Sequence, residues 1–228
     1  MAKEQLKQWY DENYFDQYPK HNRRIRQILR NIRLNQSDVV CEFGCGPGHI
    51  LMAISTQVQH ATGIDVSEYA TSMATTSAEK TGIKNLDFKS IDITSLGNVS
   101  EYTGHFDKVL MMDISEHLYD DTLLEFLQSA KSVLKPEGQL VLHTPNADYY
   151  LEKMKAHNFI LKQFESHIAV RSYQQHIPIL EKAGFSDIEV LYLPHYNRLL
   201  GLIDKLSMHI PFIRGYFQAR ILITARPI

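Results

Sequence analysis

The sequence predicts an α/β fold, a doubly wound and mostly parallel sheet, and three observations carry that reading. Short runs rich in β-branched and aromatic residues alternate with helical stretches from about residue 38 to 144, a rhythm that implies right-handed crossovers. The first run, Val39 to Phe43, ends in the glycine-rich bend Gly44-Cys45-Gly46-Pro47-Gly48 and passes into the apolar helix start Ile50-Leu51-Met52-Ala53-Ile54. The first two strands each close on an acid, Glu42 and Asp65.

Size and composition set the outer bounds. At 228 residues, 44% hydrophobic and 22% charged, the chain suits a single large domain, 1–228. A net charge of -2 lacks the basic footprint of a nucleic-acid partner, so none is expected. Cys41 and Cys45 lie too close together for a disulfide framework and read as core or turn residues in a reducing compartment. The start has no signal-peptide core and no stretch reaches transmembrane length, so the expected location is the cytoplasm.

Taken in order, the chain opens with an aromatic group, Trp9, Tyr10, Tyr14, Phe15 and Tyr18. Ile25, Ile28, Leu29 and Ile32 follow at helical spacing, surrounded by Arg23, Arg24, Arg26, Arg30 and Arg33. That is an amphipathic helix with a solvated basic face, or else a cationic face for an anionic acceptor. In the glycine loop, the missing Cβ atoms allow a sharp turn and close approach of a ligand, and Pro47 suits a first helical turn. A dinucleotide fingerprint would need a third glycine at position 49, where the chain has His49. The pattern present is Glu42-x-Gly44-x-Gly46-x-Gly48, and a carboxylate at the strand end repels a pyrophosphate but suits a cationic group.

Ala61 to Val66 reads as the second strand, with Ser67 as helix N-cap and Thr81-Gly82 as the helix stop. Asp65 stands where such folds place the carboxylate for a ribose; its alternative is a capping role. Leu86 to Ile91 is the third strand, followed by Asp92-Ile93, and Phe106 to Asp113 the fourth, leading to Ile114-Ser115-Glu116-His117-Leu118. The turn Lys135-Pro136-Glu137-Gly138 precedes a fifth strand through His143 and Thr144. Tyr173 to Ala183 reads as a helix, Ile188 to Leu193 as a strand, and Gln218 to Ala225 as the last. Between those two strands Leu199, Leu202, Ile203, Leu206 and Ile210 form an apolar helical face. It is a cap packed on the sheet or on a partner subunit, or a surface for a lipid-linked substrate.

The acid-led glycine loop resembles the first motif of the class I S-adenosylmethionine-dependent methyltransferases. The stretch Asp113-x-x-Glu116-His117 is similar to the acid-x-x-Glu-His motif of ubiquinone-biosynthesis O-methyltransferases within that class. The resemblance implies a three-layer sandwich on a seven-stranded sheet whose last strand is antiparallel. It also implies that the N-terminal helical cap (1–35) folds over the cofactor as a lid; the chain then divides into a cofactor-binding core (36–193), a helical insertion (194–217) that departs from a minimal member of that class, and a closing strand (218–228). It assigns S-adenosyl-L-methionine, with S-adenosyl-L-homocysteine as product, to Glu42, Gly44, Cys45, Gly46, Gly48, Asp65, Val66, Asp92, Ile93, Met112 and Asp113. Asp92 would meet the adenine amine and Ile93 its ring; a plain turn aspartate is the alternative.

Catalytic candidates are His117, His143 and His167, any of which could deprotonate or orient a hydroxyl. Asp113, Glu116 and His117 could hold a divalent ion such as Mg²⁺; otherwise Asp113 touches only cofactor, Glu116 caps a helix and His117 packs. The expected activity is methyl transfer to a small or lipid-linked acceptor, favouring oxygen. The alternative is a non-catalytic cofactor-binding subunit. Expected contacts are peripheral membrane contact at most, through 194–215, with a homodimer left open.

Overall fold

The computed structural model describes residues 22–228; the aromatic group from Trp9 to Tyr18 and most of the expected 1–35 lid lie outside the described residues. Helix α1 (Asn22–Leu29) follows the predicted stripe, burying Ile25 and Ile28, with Ile32 buried just beyond its end. Then come β1 (Val39–Phe43), α2 (His49–Ile54), β2 (His60–Asp65), α3 (Glu68–Thr81), β3 (Leu86–Ser90) and β4 (Phe106–Met112). The second half adds α4 (Asp120–Val133), β5 (Leu134–Pro145), α5 (Tyr150–Ala156), α6 (Tyr173–Lys182), β6 (Phe185–Leu193), α7 (Arg198–Ser207) and β7 (Arg220–Pro227).

The seven strands lie in the order β3-β2-β1-β4-β5-β7-β6. β1 to β5 pair in parallel, while β7 runs antiparallel between β5 and β6. The expected class of sheet is therefore the one found. Strand order reverses between β1 and β4, which opens a crevice at their carboxyl ends, the place where open α/β sheets bind ligands.

The two-residue period of the strands sorts side chains onto two buried layers. Val40, Leu110, Met112 and Val141 pack with Ile25, Ile28, Ile50, Leu51 and Ile54 on the α1 and α2 face. Cys41, Phe43, Val109, Met111, Leu140 and Leu142 pack with Leu123, Phe126, Leu127 and Leu180 on the α4 and α6 face. By the same alternation Glu42 and His143 belong to the first face and Thr144 to the second. That division decides how the site is assembled.

Three local expectations need correction. Pro47 lies in the loop, ahead of the Gly48 N-cap of α2, instead of in the first helical turn. Lys135 to Gly138 is a bulge inside β5: Leu134 pairs with Phe106 and Gln139 with Lys108, so four residues oppose one. The apolar stripe of α7 does not pack on the sheet. Leu199, Leu202, Ile203 and Leu206 are all exposed.

Candidate functional site

The loop after β1 shows why its sequence needs glycine. Gly44, Gly46 and Gly48 have φ of 70°, 49° and 73°, a left-handed conformation that disfavours any residue with a Cβ. A Cβ on Gly48 would also stand 2.7 Å from the Phe88 ring. The bend is tied to β2: the Gly44 and Cys45 N–H groups donate to the Ile64 carbonyl at 2.8 and 3.1 Å. Cys45 is buried beneath it as a free thiol, and burial pushes both Cys41 and Cys45 up in pKa, making them inert thiols.

Asp65, at the end of β2, accepts from the Gly46 N–H through one oxygen and from the Ser67 N–H through the other, both at 2.9 Å. Burial raises its pKa, against the opposing pull of those N–H groups. Asp65 thus holds the glycine loop and the turn into α3, whose N-cap is Ser67, while Val66 beside it is exposed. Asp92 caps the turn after β3, accepting from the Thr94 N–H at 3.0 Å and its hydroxyl at 2.8 Å. Ile93 is buried in the core.

Glu42, at the end of β1, has an unmet hydrogen-bonding demand. It is buried, its pKa is raised well above the usual carboxyl range by desolvation, with Arg24 opposing and Asp65 adding to that rise. One of its oxygens, Oε2, is buried with no hydrogen-bond partner. A buried acceptor without a donor is costly, and a ligand carrying hydroxyl or ammonium groups would satisfy it. The aminoacyl and ribose parts of S-adenosylmethionine offer such donors, so the residues present fit that cofactor.

Arg24 is a functional candidate that sequence reasoning left within a generic basic face. Its guanidinium donates to Asp113 Oδ2 and its charge acts on Glu42. Asp113 follows Met112 at the end of β4 with φ 55°, a conformation Asp tolerates better than bulkier residues. Its other oxygen faces His143 Nδ1 at 2.8 Å and Arg220 Nη1 at 3.5 Å. Burial opposes ionisation, but His143, Arg24 and Arg220 outweigh it and hold the Asp113 carboxyl well below its ordinary range. His143, fully buried, orients Asp113; its Nε2 is buried without a partner.

Across the sheet lies a second cluster. Glu116 is buried, accepts from the Thr144 hydroxyl at 3.0 Å, and is pushed up to about 8 by desolvation and the nearby Asp113 charge. It caps no helix; α4 starts at Asp120 with its own acids, Asp120 and Asp121. His117 Nδ1 donates to the Ser166 carbonyl at 2.7 Å, which places the lone pair of the neutral ring on Nε2. Desolvation lowers the His117 pKa, opposed by that hydrogen bond. The His167 ring packs edge-on against it at 4.9 Å, and burial together with the His117 charge lowers His167 to about 4. Donor atoms of Glu116, His117 and His167 lie within 4.8 Å of one another. The metal set read from sequence is therefore corrected. Asp113 is committed to Arg24, Arg220 and His143, and among the described residues it is His167 that completes a three-donor group.

The loop bearing Glu116 and His117 is fixed by Arg171, which sequence reasoning missed. Its buried guanidinium donates to the carbonyls of Ser115 (2.8 Å), Leu118 (2.7 Å) and Ala169 (2.9 Å), and pairs with Asp120. Nothing in the local sequence marks one arginine as a buried staple.

Comparison with known proteins bears on the family and the fold. A family profile described as a methyltransferase domain matches residues 10–190. The ubiquinone biosynthesis O-methyltransferase of Histophilus somni is 27% identical over 207 residues, covering 86% of this chain and 84% of that protein. The one from Marinobacter nauticus is 30% identical over 105 residues, 46% of this chain, and the match spans only 43% of that relative's length. Among solved structures, a SAM-dependent methyltransferase from Archaeoglobus fulgidus superposes with a TM-score of 0.71 at 17% identity, covering 95% of this chain and all of that one. A phosphoethanolamine N-methyltransferase from Haemonchus contortus, in complex with S-adenosyl-L-methionine, gives 0.63 at 16% identity over 91% of this chain and 52% of its own. At such identities the superpositions speak for the fold alone. The profile match is different in kind: it extends over most of the chain and takes in the glycine loop and every strand of the parallel sheet. On that extent of agreement, the chain belongs to the class I S-adenosylmethionine-dependent methyltransferases.

Proposed function

We propose that this protein methylates a hydroxyl oxygen on a small or lipid-linked aromatic acceptor, with S-adenosylmethionine held by Glu42, the glycine loop and Asp65. The observation that carries the oxygen assignment is the convergence of Glu116, His117 and His167 just beyond β4. Bound in the crevice, the cofactor would supply an electrophilic methyl carbon on its sulfonium. The remaining work falls to side chains of this chain.

His117 is suited to accept the proton of the acceptor hydroxyl at Nε2, since Nδ1 is engaged with Ser166. Glu116, raised to about 8 and so protonated near neutral pH, can donate to a neighbouring oxygen on a catechol-like ring. Asp113, Arg24 and Arg220 form a charged wall beside these groups, and Arg24 is placed to meet an anionic group such as the cofactor carboxylate. Relatives named as ubiquinone biosynthesis O-methyltransferases support an acceptor of this class.

A second reading has the same three residues holding a divalent cation that orients two acceptor oxygens. Two imidazoles and one carboxylate favour a borderline ion such as Zn²⁺ over Mg²⁺, and the His117 bond to Ser166 is the outer contact usual for a ligating histidine. The test is a product-formation assay on catechols, quinone precursors and amines, with and without EDTA. Methylated oxygen formed despite chelation supports the base reading, loss on chelation with recovery on adding Zn²⁺ supports the cation, and methylated amines alone would sink both.

A further inference from the structure

The helix α7 is turned outward. Leu199, Leu202, Ile203 and Leu206 form one apolar stripe and all are exposed, Leu199 at 68% and Leu206 at 65%. The opposite side faces the protein through Gly201 and Asp204, both buried. A Cβ at Gly201 would run into the His195 carbonyl, so the helix seats close there. Asp204 accepts from the His195 N–H at 2.7 Å and from the Tyr149 hydroxyl at 3.2 Å. These contacts fix the rotation of the helix, with Asn197 capping its start by accepting from the Leu199 and Leu200 N–H groups. The chain beyond α7 extends the apolar surface with Ile210 and with Phe212, 93% exposed. An apolar stripe oriented away from its own core exposes surface that water disfavours, and a sheet-facing cap would be rotated the other way.

Charge identifies the occupant. From Pro194 to Gln218 the exposed cations are Arg198, Lys205 and Arg214, and the one acid in that span, Asp204, is buried. Arg198 and Lys205 fall roughly a quarter turn from the stripe, where their stems can lie along apolar surface and their charges reach a headgroup. The chain as a whole is net negative, at -2, so this positive face is local. A second copy docked on the same face would oppose these cations with no exposed acid to pair them. An anionic lipid surface meets both the charge and the apolar area. Among the described residues no helix is long and apolar enough to cross a membrane, so the contact would lie in the interface plane.

We propose that residues 198–216 dock the protein on anionic phospholipid bilayers, with the α7 stripe and Phe212 entering the headgroup boundary. The patch connects to the site: Tyr196, at its root, lies under the Arg220 guanidinium at 5.5 Å, and Arg220 reaches Asp113. The test is co-sedimentation of the full chain with phosphatidylcholine vesicles with and without phosphatidylglycerol. Binding is expected on the anionic vesicles. It should fall at least about tenfold for each of Leu199→Ser and Leu206→Ser, and about fivefold for each of Arg198→Gln and Lys205→Gln. Melting midpoints should stay at the wild-type value, because these side chains are exposed. Absence of vesicle binding, equal binding to neutral and anionic vesicles, or binding retained in the double leucine variant overturns the proposal. So does self-association in sedimentation velocity that the leucine variants abolish. None of these readouts depends on methyl transfer.

Discussion

Asp113 and His143 are joined twice: the Asp113 N–H donates to the His143 carbonyl at 2.8 Å, and His143 Nδ1 stands 2.8 Å from the Asp113 carboxylate. The backbone bond continues the β4–β5 register by one residue past Met112 and His143. The side-chain bond gathers Arg24 from α1 and Arg220 from β7 around one carboxylate. Three segments distant in sequence therefore meet at the end of β4.

Removing that charge while keeping the shape should be costly. Asn tolerates the left-handed backbone at 113, so Asp113→Asn isolates the electrostatic loss. It leaves two largely buried guanidinium groups without their counter-charge, and about 3 kcal/mol of stability should be lost. Urea denaturation measures it, and a loss below about 1 kcal/mol would show that the network is solvated.

Glu42 should behave in the opposite way without ligand. Its carboxyl pKa is raised in the folded chain. The stability it contributes is present at acid pH and is lost as pH rises above the unfolded value toward the folded one. Glu42→Gln removes that loss, so the variant should melt no lower than wild type at neutral pH, and relatively higher as pH increases. Its midpoint should nevertheless stop responding to S-adenosylmethionine, because ligand stabilisation needs binding to the native state. A full ligand-induced rise in the variant rules out Glu42 as a cofactor contact.

For His117 the measurement is a pH profile. A base whose pKa is lowered by burial is neutral at lower pH than ordinary imidazole, so the acid limb of kcat/KM should lie below 6.5. His117→Gln should cut kcat by about 10²–10⁴ with cofactor Kd unchanged. An acid limb above 6.5, or an undiminished kcat, excludes this assignment.

The Arg171 staple predicts a structural phenotype. Arg171→Ala leaves three carbonyls, those of Ser115, Leu118 and Ala169, without their donor and should cost about 3 kcal/mol. Lys has a single ammonium in place of the planar fork and should recover only part of it. Hydrogen exchange in the 114–119 loop should rise in both variants; unchanged protection there contradicts the staple.

His167 adds a test of the cluster itself. Its pKa, lowered to about 4 by burial, means that stability gained above 6.5 is lost as pH falls through about 4. His167→Gln should reduce that acid loss, as read by melting midpoints from pH 7 down to pH 4, and an unchanged slope would place His167 in solvent.

The chain by itself determined the alternation of strands and helices, the sharp glycine bend at 44, 46 and 48, and the acids at 42 and 65. These are local facts, written in propensity, turn chemistry and spacing, so neighbouring residues carry them. Only the tertiary structure decided which distant groups converge. Strand alternation sent His143 toward Asp113 and Thr144 toward Glu116, although the two are adjacent in sequence. Arg24, Arg171, His167 and Arg220 acquired their roles because loop closure brought them within a few ångströms of the β4 end. The outward rotation of α7 was also undecidable from its stripe: periodicity identifies an apolar face, and the anchoring of Asp204 to Tyr149 and His195 sets which way that face looks.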